Sequence, residues 1–196
     1  ATGADTLSYT FASPETVPTV ISIRARESSG SDNVTSAGSA SYEASTSIRS
    51  GRLRLINAFG SGQTALSLPL RLETWQTISG TTTDAWITET GDTCSAALLA
   101  PDAFSSDWTG SGSGTSIDTV TLYQSPDPNP GTGNLLLTAP GSAGTAEITA
   151  ELDDVAEWLR FDWDGDGDSD DPRARVGFEL NPGNRKQIYT REVIGN

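Results

Sequence analysis

In Leu66-Ser-Leu-Pro-Leu-Arg-Leu-Glu-Thr-Trp75, apolar residues occupy every second position from Leu66 to Leu72. This alternation is the main basis for the predicted fold. This period of two is typical of a β-strand that turns one face to a core and the other to solvent. Pro69 falls on the outward face of the run. Since proline cannot donate a ladder hydrogen bond, we expect this strand at a sheet edge or a bulge.

Similar short segments recur along the chain, separated by clusters of Gly, Pro, Ser and Asn. They are Leu7–Phe11, Val20–Arg26, Tyr42–Ile48, Leu53–Ile56, Ala85–Thr88, Thr119–Tyr123, Asn134–Thr138, Ala146–Ala150, Trp158–Phe161, Arg175–Phe178 and Gln187–Val193. Many short strands of this kind predict an all-β fold. We expect an antiparallel β-sandwich with long Gly/Ser/Pro loops, of which jelly-roll and immunoglobulin-like arrangements are the alternatives.

The remaining segments set the expected organisation of the chain. Residues 28–41, 103–115 and 126–133 are predicted loops, and single helical turns are expected near residues 94–100 and 150–158. Residues 1–40 are expected to be N-terminal strands of the same sandwich or a linker from a preceding domain, and residues 41–196 the main β-domain. The chain begins at Ala1 and contains no Met, which predicts a mature fragment or an excised domain.

The charge of the chain restricts the classes of molecule that it is expected to bind. It has 26 acidic against 12 basic residues and a formal net charge of −14. Such a surface repels phosphate backbones and anionic headgroups, so we expect no nucleic-acid partner. No apolar run approaches the roughly 18 residues that a bilayer-spanning helix needs, so no membrane span is predicted. The acid excess, the predominance of Arg over Lys, and the many Ser, Thr and Gly residues suit a secreted protein of a saline habitat.

Two residue types restrict the chemistry. The chain contains no His, which excludes histidine-based triads and the usual general base near neutral pH. No short carboxylate motif stands out beyond one acidic segment, so we expect a protein without enzymatic activity. Cys94 is the single cysteine. It is predicted to be a buried small hydrophobe, a free thiol or the disulfide partner of a cysteine outside this fragment.

The strongest functional signal is Asp162-Trp-Asp-Gly-Asp-Gly-Asp-Ser-Asp-Asp171. Carboxylates crowded this closely need a cation or screening by water to offset their repulsion. Asp162, Asp164 and Asp166 fall at positions one, three and five of a calcium loop, and Gly167 at position six permits its sharp turn. Hard oxygen ligands without His or thiolate favour Ca²⁺, and Mg²⁺ is disfavoured because it dehydrates reluctantly.

The rest of the predicted loop departs from the standard pattern. Asp168 can offer its main-chain carbonyl at position seven, and Asp170 can serve at position nine, directly or through water. Position twelve, normally a bidentate Glu, is Arg173, so the last ligand would be Asp171, Glu157 or a residue of another strand. A solvated acidic turn is the alternative to a metal site. If a metal binds, a structural staple is favoured over a calcium-gated switch.

Tryptophans leave a carbohydrate-binding role open, and less strongly a carbohydrate-cleaving one. Trp75, Trp86, Trp108 and Trp163 could stack on sugars, although tryptophan on an alternating strand is more often part of the core. Trp108 lies in a predicted Gly/Ser loop. It is therefore the best candidate for a ligand contact.

A set of segments occurs in one recognisable order between residues 40 and 195. It comprises Ser47–Leu55, Asn57–Ser61, Leu68–Arg71 with Trp75, Asp92–Cys94 with Leu98, Leu137–Gly141, Trp158–Gly167, Asp170–Pro172, Gly177–Phe178, Gln187–Tyr189 and Arg191–Val193. Together these segments resemble the C-terminal domain of MshQ-like proteins. The resemblance implies a secreted, surface-associated protein encoded with the mannose-sensitive haemagglutinin (MSHA) type IV pilus, a role in adhesion or pilus assembly, and no established catalytic residue.

Three hypotheses follow. The first is a non-enzymatic module of a bacterial surface or pilus-associated adhesin, with structural Ca²⁺ at Asp162–Asp171, that contacts a surface glycan, a protein receptor or other pilus or adhesin subunits. The second is a carbohydrate-binding domain that uses exposed Trp. The third is a structural spacer or assembly module of a large secreted protein, tied to another chain through Cys94 or by β-strand addition at Gln187–Val193.

Overall fold

The computed structural model describes residue 9, residues 11–23 and residues 44–179. These residues form β-strands and three single 3₁₀ turns, with no α-helix in the described ranges. The strands are β1 Thr19–Ile23, β2 Ala44–Ile48, β3 Gly51–Leu55, β4 Ala58–Ser61, β5 Leu66–Thr77, β6 Asp84–Thr88, β7 Phe104–Gly110, β8 Ile117–Leu122, β9 Thr132–Leu137, β10 Gly144–Ala150 and β11 Arg173–Glu179. The 3₁₀ turns are Ser95–Ala97, Pro101–Ala103 and Glu157–Leu159. The all-β prediction is confirmed.

Nine of these strands form two sheets that pack as a sandwich, as predicted. In the five-stranded sheet, β5 pairs with β3 along one side and with β9 and then β6 along the other, and β8 pairs with β9. The four-stranded sheet has the order β4-β11-β10-β7. These pairs are antiparallel except β4 with β11, which run parallel.

The core lies between the two sheets and follows the predicted alternation. The five-stranded sheet contributes leucines and the four-stranded sheet mostly smaller residues: Leu53, Leu55, Leu68, Leu70, Leu72, Leu122, Leu135 and Leu137 face Phe104, Ala146, Ile148, Ala150, Ala174, Val176 and Phe178. Burying one such leucine stabilises the fold by about 1.5–3 kcal/mol. A one-residue slip of β5 would expose its leucines, so this burial fixes the register.

Pro69 lies within β5, in the interior of the larger sheet, so the prediction of an edge or bulge is wrong. Its carbonyl accepts the Ile56 N–H at 2.9 Å, just beyond the last residue of β3. A strand residue directs its nitrogen and its carbonyl to the same neighbour. The missing N–H of Pro69 therefore faces the end of β3, and the ladder with β9 on the other side is uninterrupted.

Several local predictions differ from the structure. The predicted loop at 103–115 contains β7, because Ser and Thr residues there pair with β10 along its whole length. The strand predicted at Trp158–Phe161 is a 3₁₀ turn followed by one bridge between Phe161 and Asp170. The helical turn expected at 150–158 is confined to Glu157–Leu159, since β10 continues to Ala150.

Some predictions fall outside the described residues. These are the strand at Gln187–Val193, the loop at 28–41 and most of the strand at Leu7–Phe11. Within the N-terminal part that is described, β1 pairs with β2 in a separate two-stranded sheet.

Two simple expectations can be compared directly with the fold. No helix in the described part of the chain is long and apolar enough to cross a membrane. Cys94 is the single cysteine, so the chain has no internal disulfide. Its side chain is exposed, which contradicts the alternative of a buried small hydrophobe and leaves a free thiol or an external disulfide.

Candidate metal centre

The acidic loop between the last 3₁₀ turn and β11 is shaped by its first aspartate. Asp162 Oδ1 accepts the Gly165 N–H at 2.6 Å, and Oδ2 accepts the Gly167 N–H at 3.1 Å. Both glycines have positive φ, +82° and +100°, which glycine adopts without a Cβ clash. The Asp-x-Asp-Gly-Asp-Gly pattern therefore folds as a tight turn around the Asp162 carboxylate.

Three carboxylates converge in this turn. Oxygens of Asp162, Asp164 and Asp166 all lie within 4.8 Å of one another. Two ligands of one Ca²⁺, each about 2.3–2.6 Å from the ion, are separated by no more than about 5 Å. The three oxygens therefore fit around one hard divalent cation. A donor set made only of carboxylate oxygens is also of the type that Ca²⁺ prefers.

The other predicted ligands do not join these three side chains. Asp170 pairs through its backbone with Phe161, with N–O distances of 3.0 and 3.2 Å. Asp171 Oδ1 accepts the Leu152 N–H at 3.1 Å and lies 3.4 Å from Arg160 Nε. Both residues thus close the base of the loop. The backbone N–H of Asp168 donates to Asp166 Oδ1 at 2.9 Å, and this hydrogen bond orients the Asp166 carboxylate.

The candidates for position twelve are also elsewhere. Arg173 Nη1 lies 3.5 Å from Glu147 Oε1 on the neighbouring strand β10. Glu157 is exposed in the 3₁₀ turn before the loop and is not among the converging carboxylates. Within the described residues, three side chains are thus gathered and the rest of a calcium shell would come from main-chain carbonyls or water.

A buried arginine anchors the loop to the larger sheet. Arg52 of β3 has its guanidinium carbon 4.2 Å from the centroid of the Trp86 ring. The same carbon lies 4.8 Å from the Phe161 ring and 4.7 Å from the Trp163 ring. Since Phe161 and Trp163 flank Asp162, this packing fixes the start of the acidic loop. Cation–π contacts are worth about 0.5–1 kcal/mol when exposed and about 2 kcal/mol when desolvated.

Arg52 is also half of a buried ion pair. Its Nε–H donates to Glu73 Oε2 at 2.8 Å, and its Nη2 lies 2.7 Å from the same oxygen. The two side chains are 10% and 4% exposed. Arg54 Nη1 reaches the other Glu73 oxygen at 3.4 Å. Burial lowers the pKa of Arg52 and Glu73 partly opposes this effect, but an arginine remains charged at neutral pH.

The rings around Arg52 belong to a row on the outer face of the sheet. The centroids of Trp75 and Trp86 are 5.5 Å apart, those of Trp86 and Phe161 5.0 Å, and those of Phe161 and Trp163 5.2 Å. Trp75 and Trp86 are half-buried in this row, whereas Trp163 is 39% exposed. Of the tryptophans predicted to stack on sugars, Trp75 and Trp86 are thus engaged in packing.

Sequence reasoning missed Arg52 and Glu73, because charged residues at outward positions of alternating strands are ordinary. Only part of the arrangement can be inferred from the sequence, since the position of Arg52 requires the register of β3 with β5. Glu73 and Trp75 share the outward parity of β5, and Arg52 is directly opposite Glu73 in the β3–β5 register. The alternation in β5 therefore predicts that Glu73 and Trp75 share a face, and the structure adds Arg52 as the opposite charge.

Trp108 lies on β7 and not in a loop. It is half-buried, and its ring centroid is 5.9 Å from that of Phe178 in the core. The indole lies against backbone at Gly144, where an added Cβ would be 2.6 Å from Trp108 Cη2. These contacts give Trp108 a packing role, and its role as a ligand contact stays a prediction.

A second polar cluster surrounds Asp92, next to the exposed Cys94. Asp92 Oδ1 accepts the backbone N–H groups of Cys94 and Ser95 and the Gln124 side-chain amide, each at 2.9 Å. The Ser95 hydroxyl donates to Oδ2 at 2.5 Å. Burial alone would raise the pKa of Asp92, but these hydrogen bonds outweigh it and lower the pKa. Asp92 therefore holds the chain between β6 and the first 3₁₀ turn as an anion.

Comparison with known proteins yields a match to a family model. The family model described as DUF6701, fourth domain, matches residues 49–193. No curated protein and no solved structure matches the chain. The matched region contains strands β3 to β11 and the acidic loop, whereas β1 and β2 precede it.

Proposed function

The chain belongs to the family described as DUF6701, fourth domain, and on that premise we propose that it is a non-enzymatic, calcium-stabilised module of a bacterial cell-surface or pilus-associated adhesin. The MshQ-like segments between residues 40 and 195 support the surface and pilus part of the proposal. The net charge of −14 suits an extracellular protein that binds no nucleic acid. Its partners would be a surface glycan, a protein receptor or other subunits of the pilus or adhesin.

The convergence of Asp162, Asp164 and Asp166 within 4.8 Å is the observation that supports calcium. Three carboxylates this close repel one another, and a bound divalent cation would replace that repulsion with attraction. The backbone donors of Gly165 and Gly167 already hold Asp162 in place. Little rearrangement would therefore be needed when the ion binds.

The position of the loop favours a structural role for the ion. At its start the loop packs on Arg52 of the five-stranded sheet, and at its end it continues into β11 of the four-stranded sheet. A cation that fixes the loop would therefore stabilise the contact between the two sheets. Extracellular calcium modules bind with Kd values of about 10⁻⁴–10⁻³ M, so such a site would stay occupied outside the cell and act as a permanent staple.

Calorimetric titration and thermal melts of the full chain in CaCl₂ and in EDTA test this proposal. Ligand at a hundredfold excess over Kd stabilises the native state by about 2.7 kcal/mol. For a protein of this size that corresponds to a rise in Tm of roughly 5–10 °C. Asp164→Ala, which removes the ligand oxygens, should abolish most of the rise, whereas Asp168→Ala, which retains the main-chain carbonyl, should keep most of it.

A melt that is the same in EDTA and in excess CaCl₂, together with no calorimetric binding, would overturn the calcium proposal. The surface proposal is tested separately, by antibody labelling of intact cells that express the parent protein. Labelling only after the cells are lysed would contradict it.

A further inference from the structure

A groove of about 450 Å³ lies where β3, β11 and the acidic loop meet. The residues that line it include Trp163, two arginines and three aspartates, namely Arg54, Arg173, Asp164, Asp170 and Asp171. The volume lies in the range of about 300–1,000 Å³ that small-ligand sites have, and Trp163 adds an aromatic wall to a mostly charged lining. The groove adjoins the proposed calcium loop but uses mostly different residues.

Trp163 gives the groove a rigid aromatic wall. Arg52 lies 4.7 Å from the ring centroid, and the Phe161 ring approaches with an interplanar angle of 77°. These neighbours fix the orientation of the indole, while 39% of the residue is exposed. A ring that is already ordered loses little conformational entropy when a ligand packs on it.

The polar groups of the groove offer both donors and acceptors. The Arg54 and Arg173 side chains are 51% and 61% exposed. Among the residues that the structure describes, each has one ion-pair contact, at 3.4 Å to Glu73 and 3.5 Å to Glu147 respectively. A guanidinium has five N–H donors, so both retain donors for a ligand, and the aspartates supply acceptors beside them.

The charges of these groups nearly balance. Two arginines stand against three aspartates, and Asp171 is already shared with Arg160 at 3.4 Å. A strongly charged ligand of either sign would meet groups that repel it. A neutral ligand with many hydroxyl groups can donate to the carboxylates and accept from the guanidinium groups, and its C–H face can pack on the indole.

We propose that this groove binds a neutral sugar residue of a surface glycan, with one face of its ring on Trp163 and its hydroxyl groups on Arg54, Arg173 and Asp170. The inference rests on the proposed function in one respect: Asp162 and Asp164 flank Trp163, so calcium in the loop would fix the aromatic wall. Sugar binding is therefore expected to be stronger in CaCl₂ than in EDTA. The receptor of an adhesin module of this kind would then be a glycan that contains neutral sugar residues.

The full chain is first applied to an array of neutral and uronic-acid glycans, in CaCl₂ and in EDTA. Binding of the best neutral oligosaccharide is then measured by saturation-transfer difference NMR. Trp163→Ala should weaken that binding by about tenfold or more, the range expected for loss of an aromatic stacking partner and its buried area. Trp158→Ala is the matched control, because Trp158 is 59% exposed and does not line this groove.

Arg173→Gln is the second variant, because this exposed residue can be replaced without touching the core. It should weaken sugar binding severalfold while the calorimetric Ca²⁺ titration remains unchanged. No binding of any neutral glycan, binding of uronic-acid glycans alone, or equal loss in Trp158→Ala and Trp163→Ala would overturn the groove proposal. Ca²⁺ binding without sugar binding refutes the groove alone, and sugar binding that EDTA leaves unchanged, with no Ca²⁺ binding, refutes the calcium loop alone.

Discussion

Replacement of Arg52 by Met tests how the acidic loop is held. The change retains most of the apolar stem but removes the cation between Glu73 and the three rings at 4.2–4.8 Å. Breaking a buried ion pair costs about 3–5 kcal/mol, because the remaining charge is left uncompensated. Arg54, 3.4 Å from Glu73, supplies part of that compensation. We therefore expect a loss near the lower end, about 3 kcal/mol.

Urea unfolding in EDTA, followed by the fluorescence of the tryptophan row, measures this loss without any contribution from calcium. Arg71→Met is the matched control, because Arg71 is exposed on the same face of the sheet and should change stability by less than about 0.5 kcal/mol. Arg52→Lys should recover only part of the loss, since an ammonium cannot reproduce the planar stacking and the two contacts with Glu73.

A double-mutant cycle with Glu73→Gln separates the ion pair from the ring contacts. The cost of the double variant should be smaller than the sum of the single costs by about 0.5–3 kcal/mol, the range found for directly contacting residues. If Arg52→Met costs no more than Arg71→Met, or if the two single costs add, the buried pair does not anchor the loop as described.

Two further changes probe other parts of the molecule. Gly144→Ala should destabilise the fold by about 1–3 kcal/mol, because the added Cβ would collide with the Trp108 indole. Gly51→Ala is the control, because the atoms nearest to its added Cβ would be 3.8 Å away. In thermal melts, Gly51→Ala should therefore unfold at nearly the same temperature as the wild type. The lowered pKa of Asp92 contributes stability above the unfolded value near 3.9 that is lost as pH falls through the folded pKa. Asp92→Asn should therefore be less stable than the wild type at pH 6, and the difference between their urea midpoints should shrink below about pH 4; a constant difference from pH 6 to pH 3 would contradict this assignment.

Much of the fold could be predicted from local patterns. The alternation in Leu66–Leu72 is enough to place a strand with one buried face, and the spacing of similar segments indicates a sandwich. The polar strand β7 was missed because its Ser, Thr and Asp residues resemble a loop when taken alone. It becomes a strand through pairing with β10, and such tertiary stabilisation overrides local propensity.

The candidate site, like the fold, can be predicted from the sequence only in part. The clustering of Asp162, Asp164 and Asp166 follows from residues two apart and from the glycines between them, so local spacing predicts it. The position of Arg52 beneath Trp163 depends on the register of β3 with β5 and on where a loop more than a hundred residues later returns to the sheet. A single sequence contains no local signal for such a contact.

The parallel pairing of β4 with β11 also bears on how the chain acquires its structure. The Arg175 N–H donates to Asn57 Oδ1 across 118 residues, next to the first paired positions of the two strands. Contacts this distant in sequence form slowly, because a long loop must close before they are made. During synthesis, β4 and one side of β10 would have unpaired backbone groups until β11 is made. Such unpaired strand edges can associate with other chains. Truncation before Arg173 should therefore give aggregates and not a smaller stable domain.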